Sequence, residues 1–151
     1  MNQLERLLNE LETKIPQFNK TKQDISIADV GWHIQHSLLV LNSVIDALTT
    51  SNPEDYKWEF NFPRIVVLTM KKIPRGRAKA PEVVRPEGNY DIESLISHLW
   101  VSKQKIEILK SMDKAKHFKH PYFGKLKLKQ TINFLEIHTQ HHLALINDIL
   151  K

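Results

Sequence analysis

The run His138-Thr139-Gln140-His141-His142, close to the end of the chain, holds the residues best suited by type and spacing to do chemistry. On a helix, residues four apart lie one turn above each other on the same face. His138 and His142 therefore present two imidazoles able to hold one metal ion between them. Reading from Leu128, the residues Leu128, Ile132, Leu135, His138, His142, Leu145 and Ile149 share one stripe at helical spacing. The two histidines stand where aliphatic residues are expected, on the face that points into the core, and His141 falls beside it. Titratable rings on a buried face need partners, and a single metal ion serves both.

Two histidines alone bind a metal weakly. A catalytic site typically uses three protein ligands and keeps one position open for water or substrate. His33 and His36, three apart in Gly31-Trp32-His33-Ile34-Gln35-His36, are the best suppliers of the third, and His98 is another. His36 is expected to neighbour Trp32, Val40 and Ser43 on the helix surface. His33 follows Asp29 by one turn, and that carboxylate could orient its ring from outside the metal shell. Spacing leaves all three histidines open. Taken by itself, His98 reads as a hydrogen-bonded or half-exposed residue, and His117 and His120 read as surface or rim residues before the last helix.

Other chemistry is harder to find. The chain has no cysteine, which excludes disulfides, thiolate zinc sites and a cysteine nucleophile. A metal here needs nitrogen or oxygen ligands. Arg75-Gly76-Arg77 is too short for a phosphate-cradling loop. The histidine spacing matches that of the zinc proteases, but Thr139, Gln140 and His141 intervene and none of them is the required glutamate.

The elements that must position these residues are mostly helical. Leu4, Leu7, Leu8, Leu11 and Ile15 repeat at helical spacing until Pro16 stops them. A second helix is expected from near Ser26, where Ser26-x-x-Asp29 resembles a capping box, with Val30, Ile34, Leu38, Leu41, Ile45 and Leu48 on one face. A short third helix is expected from Pro63 to about Lys72, in preference to a strand through Ile65-Val66-Val67-Leu68. Prolines and glycines mark 73–90 as a long irregular connection of the kind that often carries function. Asp91 caps a fourth helix bearing Ile92, Leu95, Ile96, Leu99, Ile106 and Leu109. Residues 113–127 read as a further connection, and the last helix runs from about Leu128 to Leu150. Four main helices with apolar faces predict an all-α fold, an up-and-down four-helix bundle with short extra helices and long connections, as one domain over 1–151.

At 151 residues, with 41% hydrophobic and 26% charged residues, the chain has the make-up of a soluble globular domain. The N-terminus shows no signal pattern and no apolar run is long enough to cross a bilayer, so a cytoplasmic protein without a membrane partner is expected. The net charge of +5 and pI of about 9.4 raise nucleic acid as a partner. The excess lysine and arginine are spread out, with clusters at 71–79 and 114–129 in connections and helix ends, so a solvated surface is the simpler reading.

Three segments together resemble the DinB-like (YfiT-like) superfamily, in a branch known mainly as a domain of unknown function. They are Trp32-His33-Ile34-Gln35-His36-Ser37-Leu38, His120-Pro121-Tyr122-Phe123-Gly124-Lys125-Leu126 and Phe134-Leu135-Glu136-Ile137-His138-Thr139-Gln140-His141-His142. The likeness follows helix order over nearly the whole chain. It implies a four-helix bundle, often dimeric, whose three-histidine metal site is completed by water. By that resemblance His36, His138 and His142 are the ligands, His36 being preferred to His33 because Ser37-Leu38 follows it. Zinc, nickel, iron or manganese is the implied metal, and characterised relatives include transferases and isomerases dependent on a low-molecular-weight thiol, and hydrolases. The chain departs from the pattern at Leu143-Ala144-Leu145, where a polar residue and glutamine are usual, and at Lys127, where the last helix usually has Ser or Thr as its cap.

These readings predict a metalloenzyme acting on a small-molecule substrate. A divalent cation would lower the pKa of a water or thiol in the open position, giving thiol transfer or hydrolysis, with His141, His33 and His120 as candidate bases. The rival of a different class is a non-catalytic metal or small-molecule binding protein. A nucleic-acid-binding module rests only on the basic balance, and no recognisable motif supports it.

Overall fold

The computed structural model describes residues 2–76 and 79–151, so Arg77 of the basic cluster at 71–79 lies outside the described residues. Five α-helices, α1 (Asn2–Lys14), α2 (Val30–Thr50), α3 (Phe62–Met70), α4 (Ile92–Lys110) and α5 (Leu128–Ile149), account for most of the chain. One antiparallel hairpin, β1 (His117–His120) and β2 (Gly124–Lys127), leads directly into α5. The fold is mostly helical, and no helix among the described residues is long and apolar enough to cross a membrane.

The aliphatic stripes make the core. Leu4, Leu7, Leu8 and Leu11 of α1 are fully buried, as are Val30, Ile34, Leu38, Leu41, Ile45 and Leu48 of α2. The helices pack as α2 with α5, α2 with α4, α1 with α5 and α1 with α4. Pro16 ends α1 as expected, and the chain continues as a single 3₁₀ turn, Ile15–Gln17.

Helix α2 begins later than the sequence suggests. Asp29, not Ser26, is the cap, and its carboxylate accepts the Trp32 N–H at 2.7 Å. Ser26 serves a turn outside the helix, where its Oγ accepts the Ala28 N–H at 3.1 Å. Asp91 and Ser94 form a reciprocal capping box at the start of α4, each side chain accepting the other's backbone N–H at 2.8 Å. On α4 only Leu95, Leu99, Ile106 and Leu109 of the expected apolar residues are buried. Ile92 and Ile96 are 43% and 49% exposed, because the face shared with Trp100 has no neighbouring helix among the described residues.

The segment 113–127 is not a plain connection. It holds the hairpin, with His117 paired to Lys127, Phe118 to Leu126, Lys119 to Lys125 and His120 to Gly124. Gly124 takes φ +65°, which closes the turn without a Cβ penalty. Helix α3 braces this turn. The buried Arg64 guanidinium donates to the carbonyls of Glu59, Phe123 and Lys125, and Asn61 Nδ2 donates to the Tyr122 carbonyl at 2.9 Å.

The connection 73–90 returns across α2. Its 3₁₀ turn, Glu82–Val84, lies against that helix. Tyr90 anchors its far end, with its hydroxyl donating to Asp29 Oδ1 at 2.6 Å and its ring lying over Gly31. A Cβ at position 31 would fall inside contact distance of that ring, so only glycine permits this approach.

Candidate metal centre

Helices α2 and α5 pack against each other, and the packing brings three of the predicted histidines together. His36 comes from α2, and His138 and His142 come from successive turns of α5. Ring centroids lie 5.1 Å apart for His36 and His138, 4.7 Å for His36 and His142, and 4.6 Å for His138 and His142. One nitrogen from each ring lies within 4.8 Å of the other two, close enough to hold a metal ion. His36 and His142 are buried and His138 is half-buried.

The outer nitrogens of two of these rings are already engaged. His36 Nδ1–H donates to the Val84 carbonyl at 2.7 Å, which leaves Nε2 with its lone pair free. Trp32 stacks on the same ring at 4.9 Å, with planes 20° apart. His142 Nδ1 lies 3.0 Å from His33 Nδ1, and His33 Nε2 lies 3.0 Å from Ser26 Oγ. Two facing nitrogens can share only one proton. Placing it on His142 frees that residue's Nε2 for a metal and makes His33 the donor to Ser26, so each of these contacts has one donor and one acceptor.

Burial dominates the electrostatics. It pushes His33 down to about 4, helped by His36 and His141 and opposed by Asp29. His36 is lowered by burial against its bond to Val84. His138 and His142 fall well below the usual histidine range, first through burial and then through neighbouring histidines. Neutral imidazole is the form that binds a metal. Three neutral nitrogens converging on one point, two of them oriented from behind, fit a divalent cation of borderline softness.

The cluster floors a cavity of about 370 Å³. Val40 and Val44 of α2, Ile73, Phe118, Phe123 and Phe134 supply apolar wall. His120 belongs to the same wall, stacked on Phe123 at 4.2 Å and edge-on to Phe134 at 4.7 Å. Its Nδ1 accepts the N–H groups of Tyr122 and Phe123 at 3.0 and 3.2 Å. Burial pushes this ring down to about 4 as well. His141 reaches the cavity from beside the α5 stripe.

The remaining expectations divide. His98 lies away from the cluster, its Nδ1 3.1 Å from Gln35 Oε1. His117 packs edge-on to Tyr56 in the hairpin. Asp29 does not orient His33 by its side chain, because Oδ1 is taken by the cap bond and by Tyr90, and His33 turns to Ser26 and His142. Two contacts were missed. The facing of His33 and His142 depends on helix packing, and the Val84 carbonyl is a backbone group with no signature in side-chain pattern.

Compared with known proteins, the chain matches no family model, no curated protein and no solved structure.

Proposed function

We propose that this protein is a metal-dependent enzyme of the DinB-like kind, an up-and-down four-helix bundle acting on a small molecule by thiol-dependent transfer or hydrolysis. His36, His138 and His142 would hold zinc, nickel, iron or manganese and leave a position open toward the cavity. The observation that carries this reading is the convergence of three imidazole nitrogens within 4.8 Å at the floor of an apolar cavity. The four pairings among α1, α2, α4 and α5 support the bundle. When bound, the cation would supply Lewis acidity, which makes a water or thiol in the open position acidic enough to react near neutral pH.

The chain's own residues do the rest. Val84 and His33 fix the rings of His36 and His142 from behind. Phe118, Phe123 and Phe134 keep bulk water from the floor. Both nitrogens of His33 are occupied, and His120 Nδ1 accepts two backbone N–H groups, so of the three candidate bases His141 is the one left to take a proton. In its neutral form His120 carries its proton on Nε2, since Nδ1 accepts two backbone N–H groups. The same likeness brings a homodimer, for which the exposed Ile92, Ile96 and Trp100 of α4 offer an apolar face.

One observation favours a second reading, a metal or small-molecule binding protein without turnover: among the described residues no carboxylate lines the cavity to act as a base. The experiment is metal analysis by plasma mass spectrometry on untagged protein purified without chelators, beside His138→Ala/His142→Ala. About one divalent ion per chain, absent from the variant, is expected. Turnover of ester substrates or of a thiol with an electrophilic acceptor then separates the enzyme from the binding protein. No metal in either preparation, and none taken up from zinc, nickel, manganese or iron(II), overturns the metal-dependent enzyme, makes the histidines structural residues and leaves the small-molecule binding protein.

A further inference from the structure

The cavity over the histidine cluster has an unbalanced charge. Two lysines, Lys79 and Lys119, are among the residues that line it, and both are exposed, so their ammonium groups reach solvent beside the cavity. Neither is ion-paired to a carboxylate among the described residues. No aspartate or glutamate lines the cavity among those residues. Every other lining group is apolar, aromatic, hydroxyl-bearing or an imidazole, so among the described residues the fixed charges on the lining are positive. Between mouth and floor the wall is largely ring: Trp32, Phe118, Tyr122, Phe123 and Phe134.

We propose that this cavity takes a small organic anion, its apolar body against the aromatic wall and its charged end held at the mouth by Lys79 and Lys119. The inference rests on the reading of this cavity as the substrate site, and it names the class of substrate. A cleft with low-dielectric walls and charge of one sign concentrates ions of the opposite sign. A neutral ligand gains only the apolar contacts, and a cation is repelled. At about 370 Å³ the cavity is at the small end of ligand pockets, roughly 300–1,000 Å³, which suits a single-ring amphiphile better than a long chain or a nucleotide. With the anionic end at the mouth, the opposite end of the ligand faces His36, His138 and His142, where reaction is proposed. The lysines then select and orient without touching the reacting atoms.

Three probes with one body and different ends test this: phenylbutyrate, phenylbutanol and phenylbutylamine, titrated calorimetrically into the protein as purified. Phenylbutyrate is expected to bind roughly tenfold more tightly than the alcohol, and the amine not measurably. Lys79→Gln/Lys119→Gln is expected to bring phenylbutyrate down to the level of the alcohol, with melting temperature and metal content unchanged. Equal affinity for the three probes, no binding of any, or a preference that survives in the double variant overturns the proposal. The titrations are repeated after stripping with a chelator. A preference that survives stripping and depends on the lysines supports it, and one that vanishes with the metal while both lysines are present overturns it. Failure of the metal reading shows separately, as a chain that contains and takes up no metal yet still selects phenylbutyrate through its lysines.

Discussion

His33 Nδ1 and His142 Nδ1 face each other at 3.0 Å across the contact between α2 and α5. The pair makes His33 a support for the cluster and not a member of it, because its other nitrogen is held by Ser26 Oγ. Removing such a support typically lowers metal affinity by about 10–100-fold. His33→Ala is therefore expected to weaken zinc binding by that order in a chelator-competition titration, and His33→Gln, which can still bond to His142, by less. Wild-type affinity in His33→Ala would show that His142 is oriented some other way.

The face assignment on α5 makes a sharper contrast. His138→Ala and His142→Ala are each expected to abolish stoichiometric metal, since each removes one of three converging nitrogens. His141→Ala is expected to retain it, because that ring lines the cavity without joining the cluster. Equal losses at all three positions, measured as metal per chain after dialysis, would contradict the geometry.

Gly31 tests the coupling between the connection and the centre. An alanine there overlaps the Tyr90 ring, and overpacking of this kind costs about 1–3 kcal/mol. Displacing Tyr90 also loosens the segment that brings the Val84 carbonyl to His36. Gly31→Ala should show both a lower melting temperature and weaker metal binding, and Gly31→Ala/Tyr90→Ala should recover part of the stability by removing the clash.

Arg64 is a buried cation whose partners among the described residues are all backbone carbonyls. Hydrogen bonds to a charged group contribute about 1.5–3 kcal/mol, so Arg64→Met should destabilise the protein by that order in denaturant unfolding. Because those carbonyls belong to the hairpin turn and the approach to α3, amide exchange should rise first around 121–125. Uniform exchange across the chain would argue against a local brace.

Burial also sets a pH dependence. His120 is lowered from 6.5 to about 4, so between those values the unfolded ring binds a proton that the folded ring does not. Stability therefore falls as pH drops through that window and is fully present above it. His33, also lowered to about 4, adds with the same sign. Melts of metal-stripped protein from pH 7 to 4 should show a falling melting temperature, with a shallower slope in His120→Phe, which keeps the ring contacts and removes the titration. Identical slopes would remove His120 from the acid response.

Much of the frame is legible in the sequence because aliphatic residues repeat cleanly. Leu4 to Leu11 and Val30 to Leu48 repeat at helical spacing, and each of those apolar residues is buried. The start of α2 is less legible because Ser26 and Asp29 are both good caps, and only Asp29 lies in reach of the Trp32 N–H. Each hairpin strand has only four residues, rich in lysine and histidine, so neither carries an alternation strong enough to distinguish it from a loop. On α4 the periodicity predicts apolar residues but not which of them the packing buries, and Ile92 and Ile96 stay 43% and 49% exposed. At the cluster, the one-turn spacing of His138 and His142 is visible in the sequence. The difference between His33 and His36 is not, since both lie on the side of α2 that faces α5 and differ only in what each ring meets.

The bridge between His33 and His142 joins positions 109 residues apart in a chain with no cysteine. An ion held by His36, His138 and His142 would clasp the same two helices, closing a loop of that order as a disulfide would. Closing so long a loop carries a large entropic cost, and a clasp that exists only in the folded state offsets it. Helices α2 and α5 would then be fastened by a reversible link whose strength follows the local supply of the ion, so scarcity would loosen the seam between them.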